Sequence, residues 1–220
     1  MQKQLGIWTK PTATQMLENS VGGNLAPSLG RIRGVRGANG DIFGRASIWK
    51  AMCSIPDLEG DVTYTQVAAG ETHTVLLRSN GTGVACGDND EGQCNIPALD
   101  GDLTYTQGAA GYGHTVLLRS NGTAVAFGLN LRGECSIPAP EGAVTYTQVA
   151  AGNLHTVLLR SDGTVVACGG NNSGQCSIPA LEGAATYTHV AAGAHRTALR
   201  RSDGTVVAFG ANRDGRCDIP

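Results

Sequence analysis

The sequence predicts an all-β chain, a β-propeller built from four-stranded antiparallel blades, with about four blades present. Three observations carry that prediction. Tyr64, Tyr105, Tyr146 and Tyr187 lie 41 residues apart, as do Pro56, Pro97, Pro138, Pro179 and Pro220, so one unit recurs without insertion. A fixed period of this length marks a repeat architecture in which each copy is one supersecondary unit. Within a copy, short apolar runs are separated by glycine-centred turns, the signature of a strand meander. Finally, the runs Val157-Leu158-Leu159 and Val165-Val166-Ala167 do not alternate with polar residues, so both faces of each sheet need cover, which neighbouring blades supply.

Taken in order, residues 1–46 show no repeat and no sustained helical or strand period, and contain Pro11, Pro27 and several Gly. They read as a flexible, weakly basic leader, with Arg31, Arg33, Arg36 and Arg45 spaced as solvated charges. Residues 47–60 are the tail of a repeat, because Cys53-Ser54-Ile55-Pro56 aligns with Cys94-Asn95-Ile96-Pro97. Four fuller copies follow, at 61–101, 102–142, 143–183 and 184–220, the last with a shortened final segment, so the array breaks off in mid-architecture.

The third copy shows the unit clearly. Residues 146–151 form a first strand of small and apolar residues that Gly152 ends. Residues 155–160 are a second strand, and Ser161-Asp162-Gly163 a hairpin turn in which glycine accepts positive φ. Residues 164–168 are a third strand, Gly169-x-Asn171-x-x-Gly174 the next turn, and 175–178 a weaker fourth strand stopped by Pro179.

Charge narrows the class of partner. Residues 1–52 carry seven Lys/Arg against two Asp/Glu, and residues 53–220 carry nine against sixteen. The array has no Lys, which disfavours a nucleic-acid face, since duplex binding needs clustered cations. No window approaches the roughly 20 apolar residues of a membrane span, and the first 25 residues lack the apolar core of an export signal. An intracellular protein, cytoplasmic or nuclear and without a membrane partner, is expected. The Asn80, Asn121 and Asn171 tripeptides match the glycosylation pattern but read as turn chemistry.

Residues that look reactive recur in phase, which argues for structure. His73, His114 and His155 stand beside Thr74, Thr115 and Thr156, and a nucleophile with its base is rarely copied into every blade. They are read as hydrogen-bonded structural imidazoles, alongside the repeated Gly70, Gly111, Gly152 and Gly193, and no catalytic residue is assigned. His189 replaces the Gln of the other copies and is read as merely polar. Cys53, Cys94, Cys135, Cys176 and Cys217 share one phase, while Cys86 and Cys168 share another with Phe127 and Phe209. Buried thiols are the leading reading, with disulfides or metal as alternatives. Asp88, Asp90 and Glu91 suggest calcium, but their equivalents in the other copies supply no such ligands. No metal or cofactor is expected.

At VAAGxxHTVLL, then DGTVVxxG and GxNxxGQC, the chain resembles the regulator of chromosome condensation repeat family over residues 47–220. Copies one and three carry the whole signature, at residues 67–77 and 149–159. Copy two departs at Gly108, and copy four reads Gly193-Ala194-His195-Arg196, with its His one position early. The resemblance implies blades of a seven-bladed ring, and the copies, shorter than those of the family's founding member, look closer to the compact versions of large HECT-type ubiquitin ligases and of a bacterial β-lactamase inhibitory propeller. It also admits a nucleotide-exchange factor for a small GTPase such as Ran. A photoreceptor role needs tryptophans on the blades, whereas Trp8 and Trp49 lie outside the complete copies. Any ligase chemistry is expected in another part of a longer protein, beyond Pro220.

Seven such blades need about 287 residues. An open arc leaves two blade faces bare, each at a cost on the order of 8 to 15 kcal/mol. The expectation is therefore a fragment of a longer propeller, a sequence cut short as a gene model, or closure by self-association.

Function is sought where the copies differ. The Arg-Ser-Asn/Asp-Gly-Thr turn barely changes, but two loops change freely: Glu71, Thr72, Asn153 and Leu154 with Tyr112 after the first strand, and Asp88, Asp90, Glu91, Leu129, Leu131, Arg132, Asn172, Ser173, Arg213 and Asp214 after the third. Both loops emerge at one edge of an antiparallel blade, so these positions are expected to share one rim. Tyr112, Leu129, Leu131 and Arg132, read as exposed, are the aromatic, apolar and Arg set that anchors interfaces. The competing reading is loops drifting without constraint. The function expected is a non-enzymatic protein-interaction propeller. The alternatives are an exchange factor for a small GTPase and the substrate-docking part of a HECT-type ligase, with a GTPase or ubiquitin-pathway protein as partner.

Overall fold

The computed structural model describes residues 54–181 and 183–219, together with one short antiparallel ladder, β1 (Val35–Arg36) with β2 (Ile42–Phe43). The readings of the remaining leader, of residues 47–53 with Cys53, and of Trp8 and Trp49 lie outside the described residues. The chain divides into two units, Met1–Trp49 and Lys50–Pro220, and the blades belong to the second.

Each copy folds as a meander of three antiparallel strands. Blade 1 is β3 (Tyr64–Ala69), β4 (His73–Arg78) and β5 (Gly83–Gly87). Blade 2 is β6 (Tyr105–Ala110), β7 (His114–Arg119) and β8 (Ala124–Gly128). Blade 3 is β9 (Tyr146–Ala151), β10 (His155–Arg160) and β11 (Val165–Gly169). Blade 4 is β12 (Tyr187–Gly193), β13 (Arg196–Arg201) and β14 (Val206–Gly210). The second strand of each blade packs on the first strand of the next, giving an open arc of four propeller blades.

The expected fourth strand is absent from each described blade. Its backbone donors are spent locally: the Cys94 amide bonds Asn89 Oδ1 (2.8 Å), the Asn95 amide bonds the Gly92 carbonyl (3.0 Å), and the Ile96 amide bonds the Cys94 carbonyl (2.9 Å). Cys135, Cys176 and Cys217 make the same bond to Asn130, Asn171 and Asn212. A segment folded onto its own Asn side chain has no ladder to offer.

The continuous apolar runs follow from burial on both faces. In β7, Val116 and Leu118 join Tyr146, Val149 and Leu158 in the core between blades 2 and 3, whereas Leu117 joins Val75, Leu77 and Tyr105 between blades 1 and 2. Val157 and Leu159 meet Tyr187 and Leu199 between blades 3 and 4. The cores thus lie between blades rather than within them. The second-to-third strand hairpin closes on Gly163 at φ 79°, with the Asp162 carboxylate accepting from the Thr164 amide and hydroxyl.

One irregularity repeats in all four blades. The first strand carries a bulge one residue after its Tyr, so that Thr65, Thr106, Thr147 and Thr188 fall out of register and their hydroxyls bond a second-strand carbonyl at 3.3 Å. Beyond the bulge, the Tyr hydroxyl donates to the carbonyl of the Pro that precedes it by eight residues: Tyr64 to Pro56 (2.7 Å), Tyr105 to Pro97 (2.8 Å), Tyr146 to Pro138, and Tyr187 to Pro179 (2.9 Å). The two residue types that mark the period in the sequence are therefore partners in space.

Candidate interaction rim and the junctions that hold it

The junction between blades is one polar device used three times. His73 Nε2 lies 2.8 Å from Thr115 Oγ1, His114 Nε2 3.1 Å from Thr156 Oγ1, and His155 Nε2 3.1 Å from Thr197 Oγ1. Each Thr hydroxyl donates onward to a backbone carbonyl, of Gln93 (2.6 Å), Glu134 (2.7 Å) and Gln175 (2.6 Å). A hydroxyl has one proton, so with that proton committed it must accept from the ring, and the imidazole is fixed as the Nε2–H tautomer. The Cε1–Nδ1 edge of the ring lies against a glycine of its own blade. Adding a Cβ at Gly152 would overlap His155, and at Gly70 it would come within 2.9 Å of His73. Burial holds all three imidazoles at about 4, far below the ordinary 6.5, so they are neutral.

A second clamp sits on the first strands. The Val149 amide donates to Gln107 Oε1 (2.9 Å) while Gln107 Nε2 donates to the Val149 carbonyl (3.2 Å), and Gln148 does the same to Val190 and Thr188. Gln66 Oε1 accepts from the Gly108 amide at 2.8 Å. Gly108 keeps this register, so the copy-two departure leaves the strand intact. Copy four does change: Arg196 occupies the register position of the His, pairing with Gly193 and Gly210, and β12 runs one residue longer.

At one edge the loops after the first and third strands meet. The Asp88 amide donates to the Thr72 carbonyl (2.9 Å), Leu129 to Gly113 (2.8 Å), Gly170 to Leu154 (2.7 Å) and Ala211 to His195 (2.8 Å). Neighbouring blades are joined at the same edge, Glu71 amide to Gly111 carbonyl (3.1 Å), Tyr112 to Asn153 (3.2 Å) and Asn153 to Ala194 (3.0 Å). The Thr72 hydroxyl adds a bond to the Tyr112 carbonyl at 2.9 Å. The variable positions thus share one continuous rim whose backbone is pinned by repeated Asn and Gly.

The rim side chains divide by exposure. Glu71, Asp90, Glu91, Arg132, Asn172, Ser173, Arg213 and Asp214 are exposed, as are Tyr112 (43%) and Leu131 (81%). Thr72, Asp88, Asn153 and Leu154 are half-buried. Leu129 corrects the expectation of exposure: it is 7% exposed, packed over Gly113, whose missing side chain makes the room. Asp88 is engaged by Gln93 Nε2 at 3.0 Å.

The cysteines are of two kinds. Cys94, Cys135, Cys168, Cys176 and Cys217 are free, and the Cys94, Cys135 and Cys176 thiols donate to the carbonyls of Asp88, Leu129 and Gly170. Burial, with the Glu134 charge behind it, pushes Cys135 up to about 12, and burial, with Cys176 beside it, raises Cys168 to about 11. Cys86 is disulfide-bonded, which overturns the buried-thiol reading at that position.

Glu134 was not singled out in the sequence. It is fully buried at the phase of Gln93 and Gln175, one carboxylate oxygen accepting from the Arg132 amide (2.7 Å) and the other without a partner. Its signal was a lone acid among glutamines at one phase.

The model for the regulator of chromosome condensation (RCC1) repeat matches three times, at residues 64–93, 105–134 and 146–175. No curated protein matches. Among solved structures, Prp20p from Saccharomyces cerevisiae is 19% identical with a TM-score of 0.63, covering 74% of this chain and 48% of its own. Human WBSCR16 is 20% identical with a TM-score of 0.61, covering 71% and 51%. The ectodomain of the Physcomitrella patens receptor kinase CR4 is 22% identical with a TM-score of 0.56, covering 73% and 44%. The chain spans about half the length of these proteins, and at such identities the likeness is one of fold. The three repeat matches fall on blades 1 to 3, each ending at the Gln or Glu whose carbonyl receives the junction hydroxyl, and these three blades are repeats of the regulator of chromosome condensation family.

Proposed function

We propose that this chain is a non-enzymatic protein-interaction propeller that presents its variable rim to a partner protein. The observation that carries the reading is the contrast along one edge. The loop backbone is held alike in blades 1 to 3, while the side chains it displays pass from acidic in blade 1 to Tyr112, Leu131 and Arg132 in blade 2. A rigid frame with exchangeable side chains is the usual design of a binding surface. Prp20p, of the same fold, is described with binding properties toward Gsp1p and histones, which supports a protein as partner.

The test is capture from lysate by the whole chain beside a variant carrying Tyr112→Ala, Leu131→Ala and Arg132→Ala, with both shown folded by circular dichroism. A protein retained by the parent and lost by the variant is the expected result. Identical captures would refute the rim reading. The exchange-factor alternative predicts that catalytic amounts of the chain speed nucleotide release from a small GTPase such as Ran, whereas binding without turnover favours the scaffold. The ligase-docking alternative predicts a ubiquitin-pathway protein in the captured set.

A further inference from the structure

Blade 4 departs from the other three toward basic side chains at four phases that meet in space. At the phase of His73, His114 and His155 it carries Arg196; at the phase of Gln93, Glu134 and Gln175 it carries Arg216. At the phase of Asp90, Leu131 and Asn172 it carries Arg213, and at that of Thr72, Gly113 and Leu154 it carries His195. None of the twelve counterparts is Lys or Arg. Four independent phases have thus moved toward basic side chains in a single blade.

The structure brings all four together. Arg196, Arg213, Arg216 and His195, with Ser173 of blade 3, line one cavity of about 360 Å³. The Arg196 side chain folds over Gly193, its Nε 3.0 Å from where a Cβ would stand, which fixes its approach as Gly152 fixes that of His155. Arg216 is oriented by Asp214 at 3.0 Å, and Asp214 reaches it by taking the left-handed conformation, φ 63°. Asp218 is held by Asn212 (2.8 Å). Guanidinium groups converging on one cavity present paired N–H donors, whose natural complement is a carboxylate or a phosphate.

We propose that this cavity docks an oxyanion carried on a polypeptide, either a run of carboxylates or a phosphorylated side chain. The choice of a polypeptide rests on the rim reading above, because Ser173 and Arg213 belong to the rim as well as to the cavity.

The test titrates the whole chain with fluorescein-labelled peptides: a tetraglutamate, a phosphoserine peptide and an uncharged peptide of equal length, with inorganic phosphate as competitor. Saturable binding of a charged peptide is expected, weakened about tenfold or more in Arg196→Ala/Arg216→Ala and unchanged in Arg200→Ala, an exposed arginine outside the cavity, with affinity falling as salt rises. Should the double variant fail to fold, Arg213→Gln/Arg216→Gln, both exposed, makes the same test. The stronger of the two charged peptides names the source. Inorganic phosphate binding as well as either peptide would leave an anion site but overturn a polypeptide ligand. No saturable binding, equal binding of the uncharged peptide, or association of the chain with itself through the same arginines would overturn the proposal. Loss of peptide binding in the arginine variant, with partner capture still sensitive only to Tyr112, Leu131 and Arg132, would separate this site from the central rim.

Discussion

Acidification should unfold the blades from their junctions. His73, His114 and His155 are held at about 4 by burial, against an ordinary 6.5. The folded value lies below the unfolded one, so as pH falls the unfolded chain takes up protons first. Their contribution is whole above about 6.5, is lost between 6.5 and 4, and levels off below. At about 1.4 kcal/mol per pH unit, each imidazole carries about 3 kcal/mol, and the three together about 10, comparable with the whole stability of a domain. Urea unfolding followed by circular dichroism across this window should show stability rising with pH at up to about 4 kcal/mol per unit, the slope of three protons. His155→Gln, whose amide can still donate to Thr197, should reduce that slope by about a third. A flat profile from 6.5 to 4, or imidazole proton resonances of the folded chain titrating near 6.5, would refute the locked neutral tautomer.

Four further outcomes follow from the same geometry. Thr156→Val leaves His114 Nε2–H unpaired and the Glu134 carbonyl with only the Cys168 thiol at 3.7 Å, and should cost about 2 to 4 kcal/mol by chemical denaturation; Thr106→Val, on the exposed bulge, should cost under about 0.5. Glu134→Gln, matching its phase mates, should raise stability by about 1 kcal/mol, since it replaces a buried carboxylate that has one unpartnered oxygen. Gly152→Ala overlaps both the His155 ring and the Gly193 carbonyl and should lower the thermal midpoint by more than Gly142→Ala, where a new Cβ meets nothing within 4 Å. The triple rim variant at Tyr112, Leu131 and Arg132 should unfold within about 0.5 kcal/mol of the parent, since these side chains are exposed.

Much of the architecture was legible because it is written four times. Strand positions, the Ser-Asp-Gly hairpin and the shared loop edge all follow from period and turn chemistry. What escaped was what acts across the period. His155 and Thr156 are adjacent in sequence, yet His155 bonds Thr197 of the next blade, and no local pattern separates those two pairings. The Tyr and Pro that mark the register hid their contact because the bulge at Thr147 turns the Tyr toward the preceding linker. The stretch 175–178 looked like a strand by composition, but Asn171 captures its first amide. Leu129 looked exposed because its loop is, whereas a glycine opposite makes a pocket for it.

The three junctions share one donor and one acceptor at one spacing, and that uniformity bears on how such a chain can change length. A recombination event that duplicates or deletes 41 residues in register reproduces a finished junction on both sides, with no new surface to be invented. Blades are in this sense interchangeable coinage, free to be added while their loops diverge. The fourth blade steps outside that exchange. Where an identical neighbour would meet an imidazole, it meets the guanidinium of Arg196, so any polypeptide seated there must have been fitted to it separately.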